Sequence, residues 1–362
     1  MRRLGPRMRS LASSLWLVLA LLAACRPAAP AASATALPSP ASAASSAPST
    51  ATPSPSHPPT FTPTITPSPT PEPTWYQPLD ESYVTLRYGY ALVTDANAAL
   101  YPTLTDAVQH SFNRGYLPYI PAYVAFYHTE TRDGKTFYAL ASGEWMDGKD
   151  LQEITPSRFH GILLTRPVPF RFGWVLTDAH SLNRHDEPLR SFQRYQIVHE
   201  FPDVPPRAGY LAIGGDEWLP DEAVALVSPQ TPSPAGPCRY IYVSLIEQTL
   251  SVYDHCQLVF ATLVSTGQDK RWTPPGEFAI LYKSPDKYIT LSQPSEALSE
   301  YYLQAVPYFM SYYGNLAFHG AYWHDDFGAA VSHGCINLAP ADARWLYEWA
   351  RLGDKVIIRA EP

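Results

Sequence analysis

Residues near the C-terminus combine a cysteine with two histidines in an arrangement suited to nucleophilic catalysis. The chain runs Ala317-Phe318-His319-Gly320 and, after a short gap, Ser332-His333-Gly334-Cys335-Ile336-Asn337-Leu338. A thiol reacts as its thiolate, and a neighbouring imidazole activates it by removing the proton. We therefore predict that Cys335 is a nucleophile, that His319 is its general base, and that the Gly334 N–H stabilises an oxyanion.

Two non-catalytic roles for these residues compete with this interpretation. A cysteine alone is more often a buried, inert thiol, but the residues that flank Cys335 disfavour this. The second alternative is a zinc site, although the spacing fits no familiar zinc pattern. Its ligands would be His319, His324, His333 and Cys335. We therefore expect no metal and no other cofactor.

The segments around these residues predict the elements that must hold them. His319 follows an apolar run that predicts a buried strand, and the Gly320 backbone can fix the tautomer of its ring. Tyr240 to Leu245 and the residues after it predict a hairpin. Pro340 to Trp349 carries apolar residues at helical spacing and predicts a helix, and Lys355 to Arg359 predicts a closing strand.

Residues 238–362 resemble the L,D-transpeptidases, the YkuD-type catalytic domain, along nearly their whole length. Besides the cysteine and histidine motifs, the similarity includes Val264-Ser265-Thr266-Gly267, Thr273-Pro274-Pro275-Gly276-Glu277-Phe278 and the segment from Val306 to Met310. The glycines and prolines of these motifs are typical of turns between strands. The resemblance implies a mainly β fold, in which a β-sandwich carries one peripheral helix.

The resemblance also implies roles for individual residues. His319 would be the base, oriented by the Gly320 carbonyl, and His333 would support the site. Asn337 stands where many relatives have arginine, which leaves donor recognition open. A tyrosine supplies a further oxyanion donor in some relatives, and Tyr302 is our choice by position. The predicted substrate contacts are Ser332, Asn337, Tyr302, Tyr308 and Trp323.

The reaction implied by the resemblance is peptide acyl transfer on peptidoglycan. Cys335 would attack the L,D peptide bond before the terminal D-Ala of a tetrapeptide stem, release D-Ala and form a thioester. An amine of a neighbouring stem would resolve the thioester and give a 3→3 cross-link. One alternative is an L,D-carboxypeptidase, in which water resolves the same thioester. A second is a non-catalytic lipoprotein that binds the cell wall.

The N-terminus predicts export. Arg2, Arg3, Arg7 and Arg9 precede a short apolar run, which is typical of a secretory signal and short for a membrane span. Leu22-Ala23-Ala24-Cys25 resembles a bacterial lipobox, so we predict a signal peptide over 1–25 and a lipid on Cys25. An ordinary signal peptide is the alternative. The lipid would hold the protein on the outer side of the cytoplasmic membrane, in the cell envelope.

A proline-rich segment and an internal repeat follow. Residues 26–74 consist almost entirely of Pro, Ala, Ser and Thr, which predicts a disordered stalk. Two later stretches match in order, including Ala139 to Trp145 with Ala212 to Trp218, and this indicates two copies of one module. We predict small SH3-like β modules at 75–157 and 158–229 and a linker at 230–237. Trp145 and Trp218 are predicted to be core residues rather than ligand platforms.

Charge and cysteine content limit the remaining possibilities. The chain has 26 Lys and Arg against 33 Asp and Glu, a net charge of −7, and it lacks a basic stripe. This disfavours nucleic-acid binding. With Cys25 and Cys335 assigned, Cys238 and Cys256 remain as a candidate disulfide in an exported protein.

Overall fold

The computed structural model describes residues 74–117, 121–230, 236, 238–268, 271–291 and 301–360. The predicted signal peptide, Cys25 and all but the last residue of the predicted stalk lie outside these residues. Most of the predicted linker at 230–237 lies outside them as well. The described residues belong to one unit, Glu72–Pro362. Within them, no helix has both the length and the apolar character needed to cross a membrane.

Strands dominate the described residues. The first part contains β1 (Tyr76–Pro78), β2 (Gly89–Val93), β3 (Ala99–Leu100), β4 (Gly115–Tyr116), β5 (Ala122–Arg132), β6 (Lys135–Leu140), β7 (Trp145–Asp147) and β8 (Leu151–Ile154). The middle part contains β9 (Ile162–Leu164), β10 (Phe172–Val175), β11 (Ala179–Leu182), β12 (Pro188–Phe192), β13 (Ile197–His199), β14 (Tyr210–Gly214), β15 (Glu217–Pro220) and β16 (Val224–Val227).

The C-terminal part contains β17 (Tyr240–Ser244), β18 (Thr249–Asp254), β19 (Gln257–Leu263), β20 (Gly276–Ala279), β21 (Tyr282–Leu291), β22 (Tyr301–Tyr313), β23 (Leu316–Gly320), β24 (Ile336–Leu338) and β25 (Lys355–Arg359). The α-helices are α1 (Leu104–Gln109) and α2 (Pro340–Trp349), and short 3₁₀ helices span Glu81–Val84, Gly148–Asp150 and Asp221–Ala223. The predicted mainly β fold is confirmed.

Two sheets and α2 enclose the C-terminal core. One sheet has the order β1-β9-β19-β18-β17-β25-β20, and the other includes β24-β23-β22. Alternating apolar residues of these strands point inward, so side chains such as Ile241, Val252, Phe318 and Ile336 are fully buried. The predicted hairpin is β17–β18, the predicted helix is α2, and the predicted closing strand is β25. Pro340 begins α2, at a position where its missing N–H costs nothing.

The two copies of the sequence repeat have the same order of elements. In the first copy β6 and β7 form a hairpin, a 3₁₀ turn follows, and β8 pairs with β2. In the second copy β14 and β15 form the hairpin, a 3₁₀ turn follows, and β16 pairs with β10. Trp218 is buried, and Trp145 is half-buried against a small apolar cluster.

Strands of the first two parts hydrogen-bond with strands of the C-terminal part. β5 pairs in parallel with β22, through Ala122 and Tyr302. β9 pairs with β19, through Ile162 and Ala261. The sheets therefore run across the predicted module limits at 157/158 and 229/230, which remain predictions.

A disulfide joins Cys238 to Cys256 beside the β17–β18 hairpin, with their Cα atoms 4.1 Å apart. The Cys256 N–H also donates to the Cys238 carbonyl. The bond closes a short segment at the far end of the hairpin from Ser244.

Candidate active site

A cavity of about 730 Å³ opens between the end of β23 and the strands β21 and β22. Cys335, His319, His333, Asn337 and Ser332 all line it. These are the residues that the sequence singles out for chemistry, and they come from two segments of the chain. The long strands β21 and β22 form one wall, so their side chains face the cysteine.

The parallel pair of β23 and β24 sets the face on which the residues meet. His319 lies opposite Asn337 in the register. Side chains alternate along a strand, so Cys335, two positions before Asn337, is directed to the same side. The pairing of β23 with β24 thus brings the Cys335 thiol and the His319 imidazole into one cavity.

His319 is buried and its ring is held by a backbone carbonyl. Nδ1 lies 3.4 Å from the Gly320 oxygen, and with Nδ1 as donor the other ring nitrogen, Nε2, is left as an acceptor. Burial lowers the pKa of His319 to about 4, against an opposing effect of the Gly320 contact. The imidazole is therefore neutral at physiological pH, the form that a general base requires.

The thiol of Cys335 is partly exposed to the cavity but largely desolvated. Desolvation raises its pKa to about 11, while a hydrogen bond from the Ala317 backbone and the charge of Lys287 act in the opposite direction. Sγ lies 3.9 Å from the Asn315 carbonyl oxygen. With Cys335 protonated and His319 neutral, the resting site holds a thiol and an imidazole rather than an ion pair.

The turn before Cys335 differs from the prediction for Gly334. The Gly334 N–H donates to Ser332 Oγ at 3.1 Å, and Ser332 Oγ itself donates to the Cys335 carbonyl at 2.6 Å. A serine oxygen commonly captures the N–H two residues ahead. The Gly334 N–H is thus engaged within the turn, and the predicted oxyanion role of that group is not supported by its hydrogen bond.

Two of the sequence motifs, those that contain Gly267 and Thr273, contact this turn. Thr273 Oγ1 accepts the Gly267 N–H at 2.9 Å and donates to the Gly334 carbonyl at 2.9 Å. A side chain at Gly267 would collide with the backbone of Arg271 and Gly334. Gly267 is therefore a position of close backbone approach, which is an architectural role.

The tyrosines divide between the two sides of β22. Tyr301 lines the cavity, and its ring lies 4.9 Å from the ring of His333. Tyr302 points to the opposite side, where its hydroxyl accepts a hydrogen bond from Gln304 Nε2 at 3.0 Å. Tyr308 packs against Tyr347 of α2. Tyr301, rather than the predicted Tyr302 or Tyr308, is thus the β22 tyrosine that lines the cavity, because neighbouring strand residues face opposite ways.

The loop after β23 supplies two further lining residues. The Trp323 ring lies 5.7 Å from that of His319. His324 Nδ1 accepts the Asp326 N–H at 3.1 Å, so a neutral ring carries its proton on Nε2. That nitrogen lies 3.0 Å from the Asn337 side-chain amide nitrogen, which would place two donors face to face.

The orientation of the Asn337 amide follows from this conflict. Its Oδ1 is buried without a hydrogen-bond partner among the described residues. Exchanging the amide oxygen and nitrogen lets His324 Nε2–H donate to Oδ1, and it places the amide NH₂ at the buried position. His324 thus orients Asn337. Its pKa is lowered by burial, which keeps the ring neutral.

Sequence reasoning missed Lys287 and the pairing of His324 with Asn337, and it preferred Tyr302 to Tyr301. Lys287 and Tyr301 lie far from the cysteine motif in the chain and share no pattern with it. Only the pairing of β21, β22 and β23 brings them to the cavity. Among the described residues, no group of three or more His, Cys, Asp or Glu side chains is arranged to hold a metal ion.

The family of the C-terminal part follows from the comparison with known protein families. Residues 239–358 match the YkuD family model, the L,D-transpeptidase catalytic domain. The resemblance in the sequence is thereby confirmed. The matched residues, called the L,D-transpeptidase domain below after that model, contain β17 to β24, most of β25 and α2, together with every cavity residue discussed above. A comparison with curated proteins gave no match.

Several solved L,D-transpeptidase structures are similar to parts of the chain. A cysteine-to-serine mutant of the Enterococcus faecium enzyme is 23% identical over 37% of this chain and 55% of its own, with a TM-score of 0.32. The Stackebrandtia nassauensis L,D-transpeptidase is 28% identical over 37% of this chain and 61% of its own, with a TM-score of 0.29. The Mycobacterium smegmatis enzyme is 23% identical over 57% and 93%, with a TM-score of 0.31.

The chain spans little more than half of the E. faecium structure.

Proposed function

We propose that the protein is an L,D-transpeptidase that acts on peptidoglycan stem peptides through a thioester on Cys335. The observation that carries the proposal is the shared cavity of Cys335 and His319, with the Gly320 carbonyl on His319 Nδ1. A desolvated thiol beside a neutral imidazole suits a reaction in which proton transfer accompanies attack.

The chemical steps follow from these groups. His319 Nε2 takes the proton of Cys335 as Sγ attacks the carbonyl carbon of the residue before the terminal D-Ala. A C–S bond forms, and the carbonyl electrons move to oxygen. The tetrahedral intermediate collapses, the C–N bond breaks, and His319 returns the proton to the departing amine of D-Ala. An amine of a second stem then attacks the thioester, gives up a proton through His319, and releases the thiol.

The oxyanion needs donors, because negative charge develops on the substrate oxygen. The hydroxyl of Tyr301 is our first candidate, since its ring packs on His333 beside the cysteine. Desolvation raises the pKa of Tyr301 to about 12 and so keeps the hydroxyl protonated. The Cys335 N–H is the second candidate, because the Gly334 N–H already serves Ser332.

Product analysis tests the proposal and separates it from its alternatives. The full chain and its Cys335→Ala variant are each incubated with a disaccharide-tetrapeptide, and the products are separated and weighed by mass spectrometry. We expect a cross-linked dimer and free D-Ala from wild type only. D-Ala without dimer would identify an L,D-carboxypeptidase. Equal turnover by both proteins would reject Cys335 as nucleophile, and no turnover by either would favour a wall-binding lipoprotein.

We further propose that the protein works in the cell envelope, tethered by a lipid on Cys25. The family of residues 239–358 acts on the cell wall, which lies outside the cytoplasmic membrane. The Pro-rich residues 26–74 would then let the domain reach its polymer. The Cys25→Ala variant tests the anchor: we expect it to move from the membrane fraction to the soluble fraction. Retention of the variant in the membrane would reject the lipid.

A further inference from the structure

The active-site cavity has an unusual charge distribution. Lys287, on β21, is the only Lys, Arg, Asp or Glu among the described residues that line it. His319 and Cys335 are neutral at physiological pH, because burial lowers the pKa of His319 and raises that of Cys335. The protein as a whole carries a net charge of −7. The cavity therefore contains one cationic side chain and no carboxylate among its described residues, although the protein as a whole is negatively charged.

Lys287 makes no ion pair with any described residue. Its ammonium instead lies 4.2 Å from the centre of the Phe309 ring and 5.5 Å from that of Tyr282. The preceding residue, Asp286, faces Arg87 at 3.5 Å. Aromatic faces attract a cation without neutralising it, so they hold the Lys287 ammonium in place while it remains available to an anion.

The position of Lys287 relates it to the reacting atoms. Phe309, on which the ammonium rests, lies parallel to the imidazole of His319, with ring centres 6.3 Å apart. The charge of Lys287 is also felt by Cys335, where it opposes the effect of burial. The ammonium thus lines the same cavity as Cys335 and His319, next to a ring that stacks on the imidazole.

We propose that Lys287 binds a carboxylate of the donor stem, namely the terminal carboxylate of the leaving D-Ala. This inference rests on the proposed function for the identity of the donor. The terminal carboxylate is separated from the scissile carbonyl only by the amide nitrogen and one carbon. Lys287 can therefore hold the carboxylate while Cys335 attacks the carbonyl. A stem that has already lost its terminal residue presents its carboxylate elsewhere, and Lys287 would thereby select unprocessed donors.

Binding measurements in the absence of turnover test this role. Calorimetry is carried out on the full chain carrying Cys335→Ala, with the tetrapeptide as free acid, with its terminal carboxylate amidated, and with its internal carboxylates amidated. We expect the free acid to bind about tenfold more tightly than the terminal amide, as for a hydrogen bond to a charged group. Amidation of the internal carboxylates should leave the affinity unchanged.

Added substitutions assign the preference to one side chain. Lys287→Gln should remove the preference for the free acid, Lys287→Arg should retain it, and the exposed Lys135→Gln, on the β5–β6 hairpin, should not alter it. Melting curves verify that each variant is folded. Persistence of the preference in Lys287→Gln would overturn the inference, as would its absence in the Cys335→Ala parent. Dependence on an internal carboxylate would overturn the terminal assignment.

Carboxylate binding by Lys287 and acylation of Cys335 are measured separately. Acylation of Cys335 in wild type is measured with the same peptides. A Lys287-dependent preference without acylation would leave the carboxylate site standing and reject the transpeptidase. Acylation with equal affinity for acid and amide would leave the transpeptidase standing and reject the role of Lys287.

Discussion

At the scale of single residues, the protonation state of Cys335, the proposed nucleophile, determines how the proposed reaction begins. Many reactive cysteines are kept as thiolates by a neighbouring positive charge. Here desolvation raises the pKa of Cys335 to about 11 and lowers that of His319 to about 4. The pair is therefore neutral before substrate binds, and in the proposed mechanism the thiolate forms only as the substrate carbonyl is attacked.

This state predicts how Cys335 reacts with a small alkylating agent. Iodoacetamide reacts with the thiolate, so its rate follows the ionised fraction of the thiol. We expect the rate to rise about tenfold per pH unit between about pH 7 and 9, with no plateau, as for any thiol well below its pKa. The rate is measured by mass spectrometry on wild type and on Cys335→Ala. A plateau at neutral pH would indicate a preformed ion pair and rule out a neutral resting site.

The placement of Cys335 and His319 in one cavity was predictable because their motif is local, whereas several of the other residues that line the cavity were not predictable. Tyr301 could not be chosen over Tyr302 from sequence, because a one-residue shift on a strand moves a side chain to the other face. The register of β22 against β21 and β23 decides the choice. Gly334 was assigned as an oxyanion donor from its place beside Cys335, but the competing Ser332 oxygen depends on turn geometry that the sequence leaves open.

At the scale of elements, helix α2 is joined to the sheet by a buried carboxylate. Asp342 Oδ1 accepts the Gly161 N–H at 2.7 Å, and Oδ2 accepts the Thr262 hydroxyl. Burial nevertheless raises the pKa of Asp342 to about 7. The folded state therefore holds the proton more tightly than the unfolded state, so the contribution of Asp342 to stability is lost as pH rises.

The raised pKa of Asp342 predicts how the free energy of unfolding changes with pH. Asp342→Asn keeps the acceptor for Gly161 and removes the titration. We expect the variant to gain stability relative to wild type as pH rises from about 4 to 7, and the difference to level off above that range. Urea unfolding at several pH values measures both proteins, and their difference cancels the other titrating groups. A difference independent of pH would contradict the raised pKa.

The loop formed by residues 321–328 is held by residues outside the L,D-transpeptidase domain. Asp325 accepts hydrogen bonds from Ser157, from Arg194 and, through its carbonyl, from the Tyr195 hydroxyl at 2.5 Å. On the other side, the Tyr322 ring stacks on Tyr90 with centres 3.7 Å apart. Because His324 lies between Tyr322 and Asp325, the part of the chain before the domain helps to orient Asn337.

Loosening this loop should affect substrate use more than global stability. We expect Asp325→Ala to lower kcat/KM about tenfold, because each lost hydrogen bond is worth about 1 kcal/mol. Hydrogen exchange should show faster exchange in residues 321–328, with little change elsewhere. Asp203→Ala, at an exposed position, serves as the control. Unchanged exchange in the loop of the Asp325 variant would show that these contacts do not hold it.

At the scale of the whole molecule, the sequence predicted the strands and helix of the C-terminal part well. The hairpin β17–β18 and helix α2 have strong local patterns. The joining of β5 to β22 and of β9 to β19 was not predictable, because such pairing links strands far apart in the chain and leaves no local signal. The repeat was visible in the sequence, but the pairing of the earlier strands with the C-terminal part was not.

The pairing of β5 with β22 and of β9 with β19 predicts that the stability of the L,D-transpeptidase domain depends on the strands before it. A fragment of residues 236–362 would leave β19 and β22 with unpaired edges, which invite aggregation. We expect it to melt at a lower temperature and to aggregate more readily than residues 72–362, as measured by calorimetry and light scattering. Equal melting temperatures would show that the earlier strands are independent modules.

The proposed mechanism depends above all on a thioester between Cys335 and the donor stem. Intact-mass spectrometry of the full chain, quenched with acid soon after mixing with a disaccharide-tetrapeptide, detects that species itself. We expect an adduct with the mass of the donor less D-Ala, mapped to the peptide that contains Cys335 and lost with hydroxylamine. An adduct on another residue, or turnover by the Cys335→Ala variant at the wild-type rate, would refute the mechanism.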